Sequence, residues 1–214
     1  MLKAVIFDLD GTVLDTREDV ADCMNLVLKD LGYKQRTYDE YKQVIGLDGM
    51  NFVKRLLGDM PDEKAQYIWD YYIPFVHRYG VIKTKVFDGL KEVLQTLKER
   101  GYKLSAFTNK TPDELMPFIP RFLQELGFDD IVGVGGTPNA KPSPNEVFRI
   151  LKDFGVSPEN AYVVGDGETD ILTAINAGAN PVGVLWGNRS REQLSLVGAK
   201  VFATYPKDLL DVIK

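Results

Sequence analysis

The sequence predicts an α/β protein: a parallel-sheet core with a small all-helical domain inserted after its first strand. Three observations predict it. Short apolar runs rich in β-branched and aromatic residues alternate along the chain with helical patterns. Most of these runs are apolar at odd and even positions alike, as strands covered on both faces are. One long stretch, about residues 16–82, breaks the alternation and contains no convincing strand.

The strand candidates, in order, are residues 3–7, 103–107, 131–134, 161–164, 181–185 and 200–202. Strands separated by helices pair in parallel through right-handed crossovers. Helix starts lie between them. Thr111-Pro112-Asp113-Glu114 supplies a capping hydroxyl, a proline at the first helical position and a glutamate at the third. Ser143-Pro144-Asn145-Glu146 repeats that design, and residues 37–40 form a plainer capping box. Gly101, Gly127, Gly155 and Gly178 fall where helices should stop. The interrupting stretch reads as four helices, with turns near residues 32–33, 46–49 and 58–61. The predicted division is a core of residues 1–15 and 83–214 and a helical domain of residues 16–82.

Composition narrows the partners. The net charge is -5 and the isoelectric point about 5.0, so the basic footprint of a nucleic-acid binder is missing. An acidic protein that handles anions must gather positive charge locally. A single cysteine, Cys23, excludes an internal disulfide and suits a reducing, cytoplasmic location. The apolar run at the N-terminus is too short for a signal peptide, and no run approaches the ~18 residues of a membrane span. No membrane partner is expected.

Four segments carry chemistry. The first strand ends in Asp8-Leu9-Asp10-Gly11-Thr12. Residues i and i+2 of a strand point to one side, so two carboxylates converge at its carboxyl end, where open α/β sheets bind ligands. Such a pair needs a cation or a shared proton, and a hard cation such as Mg²⁺ takes oxygen ligands. The second strand end, Phe107-Thr108-Asn109-Lys110, offers a hydroxyl, an amide and backbone N–H groups to phosphate oxygens. Lys141, in Ala140-Lys141-Pro142-Ser143-Pro144, sets a positive charge beside a helix start. In Gly165-Asp166-Gly167-Glu168-Thr169-Asp170, the two aspartates are four apart, a spacing that lets them share a helix face.

In this order, the four segments resemble the haloacid dehalogenase-like superfamily of phosphohydrolases, from Asp8 to about Asp170. The resemblance implies a Rossmann-like core, with the insertion as the family's small α-helical cap, as in phosphoglycolate phosphatases and β-phosphoglucomutases. It also implies roles. Asp8 would be the nucleophile that forms an aspartyl-phosphate, and Asp10 the acid that protonates the leaving alkoxide and then activates water. Mg²⁺ would be held by Asp8, the backbone carbonyl of Asp10 and Asp166, with Asp170 supporting. Thr108 and Asn109 would bind phosphoryl oxygens, and Lys141 would neutralise charge and share in catalysis. The implied substrate is a small phosphorylated metabolite such as phosphoglycolate, handled by a monomer or homodimer.

Other readings stay open. A phosphosugar mutase on the same fold usually carries a cap histidine soon after the first motif, and residues 16–42 contain none. A pyrophosphatase or nucleotide phosphatase of the same family fits the same spacing. A phospho-accepting signalling domain would be about half this length and would lack Asp10. The only histidine, His77, reads as a structural or surface residue, and Cys23 as a packing residue of the inserted helices. Ile68, Tyr72 and Phe75 recur at helical spacing and read as packing first, a substrate wall second. Arg17, Lys42, Lys54 and Arg55 read at least as well as solvated helix surface.

Overall fold

The computed structural model describes residues 2–214. Its strands are Lys3–Phe7 (β1), Leu14–Asp15 (β2), Lys85–Val86 (β3), Tyr102–Thr108 (β4), Asp130–Gly133 (β5), Ala161–Gly165 (β6), Asn180–Val184 (β7) and Phe202–Ala203 (β8). Its α-helices are Arg17–Asp30 (α1), Tyr38–Lys42 (α2), Gly49–Leu57 (α3), Asp62–Tyr79 (α4), Leu90–Glu99 (α5), Pro112–Leu115 (α6), Gln124–Leu126 (α7), Asn145–Phe154 (α8), Glu168–Ala177 (α9), Arg191–Leu196 (α10) and Leu209–Val212 (α11).

Six strands form one sheet in the order β5-β4-β1-β6-β7-β8, and every neighbouring pair is parallel. The first strand is therefore central. Both of its faces are buried, as its unbroken apolar run requires. Ala4 and Ile6 share a cluster with Val147, Ile150 and Leu151 of α8 and Ala174 and Ala177 of α9. Val5 and Phe7 share the opposite one with Leu90, Leu94 and Leu97 of α5 and Leu209 of α11. The chain runs outward from β1 through β4 to β5, then returns to the other side at β6. This reversal is the topological switch point at which open α/β sheets bind ligands. Phe7 pairs with Ala106 and Val164, so β1, β4 and β6 end close to one level.

Between β2 and β3 lie helices α1 to α4. Met24, Val27 and Leu28 of α1 meet Phe52 of α3 and Ile68 and Tyr72 of α4 in one apolar cluster, with Tyr41 of α2. Tyr72 lies 4.9 Å from Trp69 and 6.4 Å from Phe52, ring centre to ring centre, at the separations aromatic pairs prefer. Cys23 is buried there, 3.5 Å from the Phe75 carbonyl. His77 is exposed and lies 3.1 Å from Asp113.

The two chain crossings between sheet and helices are joined. Leu14 pairs with Val86 and Asp15 with Lys85, making a two-stranded antiparallel ribbon that the sequence pattern did not reveal. Beside it the buried carboxylate of Asp19 accepts from Lys83 N at 2.9 and 3.0 Å, Thr84 N at 2.7 Å and Thr84 Oγ1 at 2.8 Å. On the far side, Arg189 donates to the carbonyls of Lys42 and Gln43 while its Nε binds Glu168 at 2.8 Å.

Some expectations shift. The strands at residues 131–134 and 181–185 each begin one residue earlier than expected. The Ser143 box does not form: Pro144 occupies the cap position, Asn145 N reaches Ser143 Oγ at 3.4 Å, and Glu146 pairs with Arg149 inside the helix. Asp166 and Asp170 do not share a helix face, because α9 begins at Glu168 and Asp166 stays in the loop before it. The Thr111 box forms as expected.

Replacing Asp19 by alanine would leave the buried N–H groups of Lys83 and Thr84 without a charged acceptor. That substitution should cost about 2–4 kcal/mol, seen as a lower urea midpoint, and asparagine should recover part of the loss.

Candidate active site

The site forms at the carboxyl ends of β1, β4 and β6. After β1 the chain turns tightly, with Leu9 O accepting from the amides of Thr12, Val13 and Leu14. Gly11 has φ +86°, and a Cβ there would sit 2.3 Å from Asp166 Oδ2. Only glycine gives both the left-handed turn and this closeness.

Lys141 is the hub. Its ammonium lies 2.6 Å from Asp8 Oδ1 and 2.6 Å from Asp170 Oδ1, with almost no exposure. Its backbone N–H donates to Asn109 Oδ1 at 2.8 Å. The Asn109 amide nitrogen in turn donates to Gly46 O at 3.0 Å, in the helical segment. The side chain of Asn109 is thus spent on placing Lys141 and residue 46. Asp170 also accepts from Gly167 N at 2.9 Å, capping α9. Asp166 accepts from Asn188 N at 2.7 Å, Asn188 Nδ2 at 2.9 Å and Thr12 Oγ1 at 3.2 Å.

Asp10 faces another way. Its Oδ1 accepts from Thr16 Oγ1 at 2.5 Å and lies 3.0 Å from Lys110 Nζ. Thr108 is buried beside it, its hydroxyl accepting from Lys110 N at 3.2 Å. The structure therefore brings Asp8, Asp10, Thr108, Asn109, Lys141, Asp166 and Asp170 to one place, all buried. Sequence reasoning gave no role to Lys110 or Asn188. Lys110 was visible as the residue after Thr108-Asn109 and Thr16 as the first residue of the helical insertion, where substrate-facing residues are expected; Asn188 carries no local signal, being joined to the site only by the fold.

The electrostatics call for a cation. Carboxylate oxygens of Asp8, Asp166 and Asp170 lie within 4.8 Å of one another. Burial, then the charge of Asp170, raises the Asp8 carboxyl well above the usual carboxylate range, against the pull of Lys141. Burial and Asp170 likewise push Asp166 up to about 6. Burial works against the Lys141 ammonium, yet Asp170 and Asp8 outweigh it, so its pKa lies above the ordinary lysine range. Asp8 and Asp170 share one ammonium, and Asp166 has none in contact among the described residues. The donors are all oxygen and the excess charge is negative, which fits a hard divalent cation.

Beside Asp10 is a small cavity of about 20 Å³, between the strand ends and the helices. Phe52, Trp69 and Tyr72 give it an apolar wall, and Lys110 and Glu114 line its polar side. Tyr72 is thus both packing residue and cavity wall. Arg17 is not a free cation: it pairs with Asp15 at 2.8 Å. Lys54 and Arg55 line a separate open cleft with Arg189.

A family model described as haloacid dehalogenase-like hydrolase matches residues 5–184. A phosphoglycolate phosphatase of Aquifex aeolicus is 31% identical over 188 residues, covering 87% of this chain and 86% of its own. A Caldanaerobacter subterraneus protein named as a candidate pyrophosphatase, PpaX, is 31% identical over 217 residues, covering 100% of this chain and 95% of its own. The crystal structure of a predicted phosphoglycolate phosphatase from Haemophilus somnus has the same fold, with a TM-score of 0.88 at 24% identity over 100% of this chain and 98% of that one.

The raised carboxyl of Asp166 gives a stability prediction. The folded state binds its proton more tightly than the unfolded chain, so metal-free stability should fall as pH rises from about 4 through about 6. A divalent cation relieves that repulsion. Mg²⁺ should therefore raise the melting temperature more at pH 7.5 than at pH 5, and Asp166→Asn should shrink the difference, leaving the part due to Asp8.

Proposed function

The chain belongs to the haloacid dehalogenase-like hydrolase family, and on that premise we propose that it is a magnesium-dependent phosphatase of a small phosphomonoester such as phosphoglycolate. The observation that carries this reading is the pairing of two differently held carboxylates. Asp8 sits among charges that suit a nucleophile facing a phosphoryl group, while Asp10, two residues on, is oriented by Thr16 and Lys110.

In this mechanism an Asp8 oxygen forms a bond to phosphorus as the bond to the leaving oxygen breaks. Asp10 delivers the proton that the departing alkoxide needs. With Oδ1 held by Thr16 and Lys110, Oδ2 is the oxygen left to carry that proton. Water then attacks the phosphorus of the aspartyl-phosphate, Asp10 takes its proton, and Asp8 is regenerated. Thr108 and the backbone at Asn109 bind phosphoryl oxygens, and Lys141 balances their charge. Asp8, the Asp10 carbonyl and Asp166 would hold Mg²⁺, with Asp170 supporting through Lys141. Bound there, the cation supplies charge neutralisation for the transferring group.

The helical segment, residues 16–82, acts as a cap that excludes bulk water during the reaction. The absence of a histidine from residues 16–42 speaks against the mutase reading. Likeness to the candidate pyrophosphatase supports a second reading, in which the leaving group is itself phosphate. The reaction belongs in the cytoplasm, in keeping with the lone, free Cys23. No described helix is long and apolar enough to cross a membrane.

Phosphate release from phosphoglycolate should require Mg²⁺ and stop with chelator. Asp8→Asn should lower kcat by at least about a thousandfold while the protein stays folded by circular dichroism. Full activity in that variant would remove Asp8 as nucleophile. Faster turnover of pyrophosphate than of phosphoglycolate would favour the second reading.

A further inference from the structure

We propose that Lys110 is the specificity-determining residue of this site, reading a carboxylate carried by the leaving group of the substrate. The inference rests on the phosphatase reading and deepens it.

Lys110 directly follows Thr108-Asn109 at the end of β4 and is nearly buried. An ammonium has three N–H donors and is costly to bury without partners for them. This one approaches a single carboxylate oxygen, Asp10 Oδ1, at 3.0 Å. The Phe118 ring, 5.0 Å from nitrogen to ring centre, favours a cation but accepts no conventional hydrogen bond, and Glu114 acts on the ammonium by its charge without a hydrogen bond to it. Hydrogen-bonding capacity is thus left over on a buried charge.

That charge lines the small cavity beside Asp10, and it is the one cationic side chain among the described residues that do so. The opposite wall is Phe52, Trp69 and Tyr72. Glu114, the other acid on the wall, turns Oε2 to the Thr111 N–H at 2.8 Å, and its carboxyl is raised by burial toward the neutral form. The cavity adjoins Asp10, the group proposed to protonate the leaving oxygen, so what occupies it is the rest of the leaving group. Its volume of about 20 Å³ is little more than one water needs, so a leaving group enters only as the helical segment moves away from the strand ends. The chemistry of the lining matches a leaving group of two or three carbons with an anionic end: the short chain lies against the aromatic wall and the carboxylate takes the free N–H groups of Lys110. Lys110 then has two partners, Asp10 and the substrate, and the same ammonium that orients the acid selects the ester it acts on.

The test compares 2-phosphoglycolate with ethyl phosphate, which has the same two-carbon skeleton and no carboxylate, in the presence of Mg²⁺. Wild type should prefer phosphoglycolate in kcat/KM by at least about tenfold. Lys110→Met should bring the kcat/KM values of the two esters to within about threefold of each other, and Lys110→Arg should restore part of the preference. If Lys110→Met slows both esters by the same factor, Lys110 serves Asp10 alone and the proposal is overturned. Equal kcat/KM for the two esters in wild type overturns it without any Lys110 variant. A second readout needs no turnover: phosphoglycolate should raise the melting temperature of Asp8→Asn protein more than ethyl phosphate does, and adding Lys110→Met should erase the difference. Equal shifts from both compounds would also overturn it. Failure of wild type to hydrolyse either ester would strike the phosphatase reading, and the binding contrast would still decide Lys110.

Discussion

The crowding of Asp8, Asp166 and Asp170, two of them paired with the Lys141 ammonium, is the constraint on which the rest of the structure depends. Like charges brought close in a poorly solvated place repel strongly, and three carboxylates cannot be balanced by one lysine. Such an arrangement persists only where the surrounding structure holds it. Here Asn188 supplies two donors to Asp166, Thr12 a third, the Gly167 N–H donates to Asp170, and Asn109 places the Lys141 backbone. The sheet does the rest, because β1, β4 and β6 end side by side at the switch point.

The helices between β2 and β3 respond to the same constraint. Charges that act on one another strongly must be kept from bulk water. The helical segment covers the strand ends, and polar contacts tie it to the core: Asn109 to Gly46, Arg189 to Lys42 and Gln43, Asp19 to residues 83–84 and His77 to Asp113. Its apolar interior adjoins that of one face of the sheet. Trp69 and Tyr72 belong to that interior and also bound the cavity beside Asp10, so packing and the cavity wall use the same side chains.

Much of this was legible in the chain. β1 shows because a run apolar on both faces is what a central parallel strand requires. The Thr111 cap and the glycines at 101, 127, 155 and 178 show because helix ends need particular backbone chemistry. The Ser143 segment misled because its residues match a capping box while the helix starts one residue later, after Pro144. Asp166 misled in the same way, since a four-residue spacing implies one helix face only when both residues lie in the helix. The β2–β3 ribbon was invisible because two-residue strands have no periodicity to read.

By itself the sequence determined most of the strands and helices in order, the helical stretch after the first strand and the residues at the strand ends, because periodicity and turn chemistry are local properties of the chain. Only the tertiary structure decided which of those residues meet. Lys141 reaches Asp8 across 133 positions, Asn188 reaches Asp166 across 22, and Lys110 turns toward Asp10 from a different strand. These distances follow from strand order and register, which depend on long-range pairing that no local pattern encodes.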